Sequence, residues 1–200
     1  MKKINVMLLG DSVRMLTETR LRERLGENFE VWSPTLNCRH TALTLNELRY
    51  YLRDCPSPDV IHWNNGLWDT AILYDDGNFI TLPVYLQNLE RILRQLKKTG
   101  AKIIFATTTP THPKKEHRST PTDSIHYLSD IEKYNEAAVA LMKREGVEIN
   151  DLYPLLLDDL DRYIDPVDLI HPTQDGIEIL SSQMAAKITE VAKTINKTGD

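Results

Sequence analysis

Residues 4–12 read Ile-Asn-Val-Met-Leu-Leu-Gly-Asp-Ser, and this stretch decides the fold. The run from Ile4 to Leu9 is almost continuously apolar, the mark of a strand buried on both faces. Strands of that kind belong to parallel sheets, whose crossover connections lay helices on either side. Gly10 allows a sharp exit from the strand. Ser12 then falls at the carboxyl edge of the sheet, near the beginning of a helix, where ligands of open α/β sheets bind.

Outward from this strand the same signal returns. Phe29–Trp32 is a shorter apolar run, Val60–Trp63 follows the breaker Pro56-Ser57-Pro58, residues 102–108 are rich in strand formers, and residues 147–149 make a weak fifth candidate. Helical patterns lie between them. Two fit residues 16–25 and 43–52. A third is capped by Thr81, has Pro83 in its first turn and an apolar stripe at Leu86, Leu89, Leu93 and Leu96, and stops at Gly100. Ser129-Asp130-Ile131-Glu132 has capping-box spacing ahead of Ile131, Tyr134, Ala138 and Leu141. The last helix starts near Thr173 and buries Ile177, Leu180, Met184, Ile188, Val191 and Ile195. Strand–helix alternation repeated about five times predicts an α/β fold, one domain over residues 1–200, with a parallel sheet covered on both faces. Residues 110–128 are the exception to short connections, with three prolines and three histidines. A connection that long is either functional or a solvated surface loop.

Composition excludes several classes. The formal charge of -5 leaves no basic excess for binding a nucleic-acid backbone. No stretch of about 18 apolar residues exists to span a membrane. The basic start Met1-Lys2-Lys3 looks like that of a signal peptide, but the apolar run after it is too short and ends in Gly10-Asp11-Ser12. Cys38 and Cys55 make no disulfide framework. The expectation is a cytoplasmic globular protein.

A serine hydroxyl becomes a nucleophile only when a base takes its proton, and that base must be held in the right tautomer by a carboxylate. Asp168-Leu169-Ile170-His171-Pro172-Thr173, just before the final helix, offers both, with Asp and His three apart. Taken singly, Ser12 reads as a helix cap and the Asp–His pair as a capped helix with a structural histidine. Both nevertheless fall at predicted sheet edges, at opposite ends of the chain.

Together, Gly10-Asp11-Ser12 after the first strand and the Asp-x-x-His-Pro-Thr pattern at 168–173 resemble the SGNH/GDSL hydrolase family. The resemblance implies a flavodoxin-like three-layer α/β/α sandwich with a five-stranded parallel sheet, and ester hydrolysis through an acyl-serine. It implies Ser12 as nucleophile, His171 as general base and Asp168 as its orienting partner. The family's oxyanion hole uses the nucleophile's N–H, a glycine N–H after the second strand and an asparagine after the third. Here residues 36–41 contain no glycine, and Cys38 is read at its position. The third block is Asn64-Asn65-Gly66-Leu67-Trp68-Asp69 in place of Gly-x-Asn-Asp. It is similar to a branch of the family with Asn-x-Gly-Leu-(His/Trp)-Asp, which makes Asn64 the oxyanion donor and Asn65 the runner-up.

The expected activity is removal of a short acyl group, such as acetyl, from a small alcohol or carbohydrate, with no cofactor. The rivals are acyl transfer on the same fold and a non-enzymatic flavodoxin-like binding module. Against the latter, residues 11–15 supply no Gly- or Ser/Thr-rich phosphate loop. His112, His117 and His126 have spacings that match no helical ligand pair, and Asp158, Asp159, Asp161 and Asp165 lack the glycine turn of a calcium loop, so no metal is expected. Cys38 has no histidine assigned to it as a nucleophile. Trp63 reads as core, whereas Trp68 could stack on a sugar or line an acyl pocket. Arg14 and Arg39 stand beside the motifs, and contact with an anionic substrate group and surface salt bridging explain them equally well.

Overall fold

A computed structural model describes residues 3–195; Met1 and Lys2 of the basic start lie outside the described residues. The chain alternates β1 (Ile4–Leu9), α1 (Ser12–Leu25), β2 (Phe29–Trp32), α2 (Thr41–Asp54), β3 (Val60–Trp63), the one-turn α3 (Leu67–Thr70) and α4 (Leu82–Lys97). It continues with β4 (Lys102–Ala106), α5 (Leu128–Arg144), β5 (Glu148–Asn150), the short α6 (Pro154–Leu157) and α7 (Leu160–Tyr163), and α8 (Gln174–Ala192). The five strands form one sheet in the order β2-β1-β3-β4-β5, and every neighbouring pair is parallel. This is the predicted fold class.

The alternation of side chains along β1 builds the layers. Met7 and Leu9 point into a core with Trp63, Phe105 and residues of α2, α4 and α5 such as Leu48, Leu89 and Leu141. Val6 and Leu8 point the other way, against Leu21 of α1 and Leu180 and Ile188 of α8. Both faces of the sheet are therefore covered, which explains why its inner strands β1, β3 and β4 read as largely apolar runs rather than as alternation.

Some element edges differ from the sequence expectation. The fourth strand ends at Ala106: the N–H of Thr107 still reaches Asn150 O at the end of β5 (3.1 Å), but that of Thr108 turns away to Asn135 Oδ1 (2.8 Å). The fifth strand begins one residue late because the N–H of Val147 closes on Met142 O, 2.9 Å away, at the end of α5. The Ser129 capping box does not form; Tyr127 is the cap and Ser129 already lies inside α5. Thr81 precedes α4 without a side-chain cap bond, and Gly100, at φ +76°, lies two residues past the cap Lys98.

Strand order places the topological switch point between β1 and β3, whose neighbours lead away in opposite directions. Gly10, Asp11 and Ser12 leave one side of that point and Asn64 and Asn65 the other. The ends of the chain meet there too, because α8 packs on α1: Arg20 pairs with Glu178 (2.9 Å) and Arg24 Nε donates to Ser181 Oγ (3.2 Å).

Candidate active site

The turn out of β1 uses Asp11, not Ser12, as the helix cap: Asp11 Oδ1 accepts the N–H of Val13 at 3.0 Å. Ser12 is the first residue of α1, so its hydroxyl is not spent on capping and its N–H belongs to the first turn, where amides have no intrahelical acceptor. Gly10 is required by a close approach. A Cβ there would lie 2.0 Å from Asn64 Oδ1 and 2.8 Å from Arg14 Cβ. Burial raises the Asp11 carboxyl above its ordinary range, against the opposing pull of the Val13 N–H, Asn64, His171 and Arg14.

The Asp–His segment is a tight turn braced from both sides. His171 O accepts the N–H of Asp165 (2.8 Å), and Leu169 is held in the left-handed region at φ +64°. Asp168 Oδ1 accepts the N–H groups of Ile170 (2.8 Å) and His171 (2.9 Å), leaving Oδ2 for the ring. His171 Nδ1 lies 2.7 Å from that Oδ2, and Nε2 lies 2.7 Å from Ser12 Oγ. Burial would raise the Asp168 carboxyl, but the two backbone N–H groups and the His171 ring outweigh it and hold the group below its ordinary value. An acceptor fixed at Nδ1 selects the tautomer whose Nε2 can take a proton from Ser12.

On the opposite side of Ser12 the structure separates the two asparagines. Asn65 is fully buried and fully used: Oδ1 accepts from Trp63 Nε1 (2.7 Å), and Nδ2 donates to Arg39 O (2.8 Å) and Thr44 Oγ1 (3.0 Å). Both of its amide hydrogens are spent, so it has none for an oxyanion. Asn64 instead lies beside Gly10 and the Asp11 carboxyl.

Two expectations for the second block need correction. The N–H of Cys38 is not free, since it donates to Gly10 O at 3.1 Å. The residue with glycine-like backbone is Arg39, at φ +50°, and its N–H closes on Asn37 Oδ1 at 2.7 Å. Cys38 is also wholly buried, and burial pushes its thiol up, which leaves no reactive thiolate.

Arg14 is corrected as well. It is 3% exposed, pairs with Glu18 at 2.7 Å and donates to Leu36 O at 3.0 Å. Two residues beyond Ser12 it lies near the opposite side of the helix, so its charge is turned inward towards Glu18 and away from the surface. Arg39 is exposed, with its guanidinium 5.3 Å from the centre of the Trp68 ring. Trp68 does reach the site. It lines a pocket of about 160 Å³ together with Ser12, His171, Leu67 and Ala71, closed by Leu73, Ile170, Ser124 and His126. A larger groove of about 630 Å³, between Trp32, Leu36 and Tyr50, shares none of these residues.

Nothing local in the sequence marks His126 or Ser124 as pocket residues; the length of the 110–128 segment is the only signal that points to them. That segment is tied to the Asp–His turn, with the N–H of His112 donating to Leu169 O at 2.9 Å. Among the described residues no group of three His, Cys, Asp or Glu could hold a metal ion, and no helix is long and apolar enough to cross a membrane.

No protein-family model and no curated protein matches the chain. Its architecture does match solved structures over nearly its whole length. A lipase/acylhydrolase from Enterococcus faecalis superposes with TM-score 0.74 at 18% identity, covering 94% of this chain and 96% of the other. A GDSL-like lipase from Bacteroides thetaiotaomicron gives 0.73 at 14% identity, covering 93% and 88%. A carbohydrate acetylesterase from Sinorhizobium meliloti gives 0.75 at 15% identity, covering 94% and 99%. At these identities the likeness is one of fold.

Proposed function

We propose that the chain is a serine esterase of the SGNH/GDSL type, one domain that hydrolyses short acyl esters of a small alcohol or carbohydrate. The observation that carries this reading is the run of two 2.7 Å contacts from Asp168 through His171 to Ser12, at the switch point of the sheet. The fold shared with acylhydrolases and a carbohydrate acetylesterase supports it.

In the first half-reaction Ser12 Oγ attacks the ester carbonyl while His171 Nε2 takes its proton. The oxyanion is met by the Ser12 N–H at the start of α1 and by the Asn64 side chain, since the Cys38 N–H is already engaged. His171 gives the proton to the departing alcohol, whose C–O bond breaks, and the acyl group remains on Ser12. Water then repeats the sequence: His171 takes its proton, hydroxide adds to the acyl carbon, and the proton returns to Ser12 as the acid leaves. Asp168 stays ionised throughout and stabilises the imidazolium. The test is hydrolysis of 4-nitrophenyl acetate and butyrate by wild type and Ser12→Ala. Loss of at least about a thousandfold is expected, and equal rates would overturn the assignment.

A further inference from the structure

One wall of the Ser12 pocket is out of keeping with a plain aliphatic guest. Leu67, Ala71, Leu73 and Ile170 are apolar, but Ser124 and His126, two polar residues, complete the lining. His126 Nε2 lies 3.1 Å from Ser124 Oγ. Its ring is 4% exposed, and burial, helped by the Lys115 charge, pushes it down to about 4, so it stays neutral.

The pair is rigidly mounted. The N–H of His126 donates to Lys115 O (3.2 Å), and the buried Lys115 is held by Asp123 at 2.6 Å. Ile125, between the two, bridges Ile72 through bonds of 2.9 and 3.0 Å. A hydroxyl has one donor and two acceptor sites, so its bond to His126 leaves the half-buried Ser124 with unused capacity.

Resting on Ser12 as the nucleophile, we propose that this is the acyl pocket and that Ser124 Oγ selects a short acyl group carrying a hydroxyl. The His171 side chain is 34% exposed, which gives the leaving alcohol an open flank and leaves the enclosed side to the acyl chain. At about 30 Å³ for a water-sized group, the 160 Å³ space takes a chain of about four carbons and one oxygen. A methylene over Ser124 strips water from its unused hydrogen-bonding sites and returns nothing, whereas a hydroxyl, both donor and acceptor, supplies the missing partner.

The experiment compares kcat/KM for 4-nitrophenyl 3-hydroxybutyrate and butyrate, each divided by its hydroxide-catalysed rate. Wild type should prefer the hydroxy ester by about tenfold. Ser124→Ala, or Ser124→Gly if the first does not fold, should bring the ratio to about one, while Thr122→Ala, outside the pocket, keeps it. A wild-type ratio of one, or a preference that survives removal of the Ser124 hydroxyl, overturns the inference and leaves the esterase reading standing. Failure to hydrolyse either ester overturns both.

Discussion

Replacing Gly10 with alanine should disable the site without unfolding it. The new Cβ would stand 2.0 Å from Asn64 Oδ1, and ordinary contact begins at 3.4 Å, so the amide must retreat by about 1.4 Å. The 2.8 Å approach to Arg14 Cβ is the smaller part of the clash. Gly10 is not among the positive-φ glycines, so alanine meets no backbone penalty there. Displacement by about an ångström costs on the order of a hundredfold, and losing an oxyanion donor about a hundredfold to a thousandfold. The expected outcome is a kcat for 4-nitrophenyl butyrate lower by about that factor, with KM little changed. Asn64→Ala should show a similar loss. In the Asn64→Ala background Gly10→Ala should add less than about tenfold, because the group it displaces is gone. A folded Gly10→Ala protein with near-normal kcat, or full additivity in the double variant, would refute Asn64 as the displaced donor.

Three further outcomes follow from the same geometry. Asp168→Asn should lower kcat about ten-thousandfold, because an amide in that place no longer enforces the tautomer of His171; steady-state kinetics at neutral pH check it. Asn65→Ala should act mainly on stability, lowering it by about 2–4 kcal/mol in urea titration, since it strands the Trp63 N–H and Arg39 O in the interior. His62 is buried, and burial pushes it from 6.5 down to about 4. Its unfolded form binds the extra proton first, so its contribution is present above about pH 6.5 and is lost as pH falls towards 4. Thermal melts at pH 7 and pH 5 should therefore differ more in wild type than in His62→Gln.

The sheet was legible because its signal is local: four residues of unbroken apolar sequence such as Val6–Leu9 have no soluble alternative to a doubly covered strand. Nearness of Ser12 to His171, across 159 positions, was legible only as two sheet edges with complementary chemistry. Which atoms are already spent was not legible. Asn64 and Asn65 are the same residue type at adjacent positions, yet tertiary partners from α2 and β3 consume the Asn65 amide, while Asn64 lies against the Asp11 carboxyl. A backbone donor demands no particular side chain, which is what puts Cys38 at the glycine position in sequence, but the left-handed turn falls on Arg39, and no propensity predicts arginine there. Arg14 was read from its proximity to the motif, whereas the helical angle from Ser12 turns it inward towards Glu18.

The packing of α8 on α1 has a consequence for how the molecule comes into being. Synthesis makes Ser12 well before His171, its base in the proposed mechanism, with four of the five strands and their helices between them. On that mechanism a chain still on the ribosome, or one cut short before Asp168, presents Ser12 as an ordinary alcohol without its His171 partner. Chemistry and architecture are then completed by the same event, the docking of the final helix, which carries Glu178 and Ser181 to Arg20 and Arg24 as the turn ahead of it brings His171 to Ser12. Under the proposed mechanism, ester turnover doubles as a readout of whether α8 has reached its place on α1.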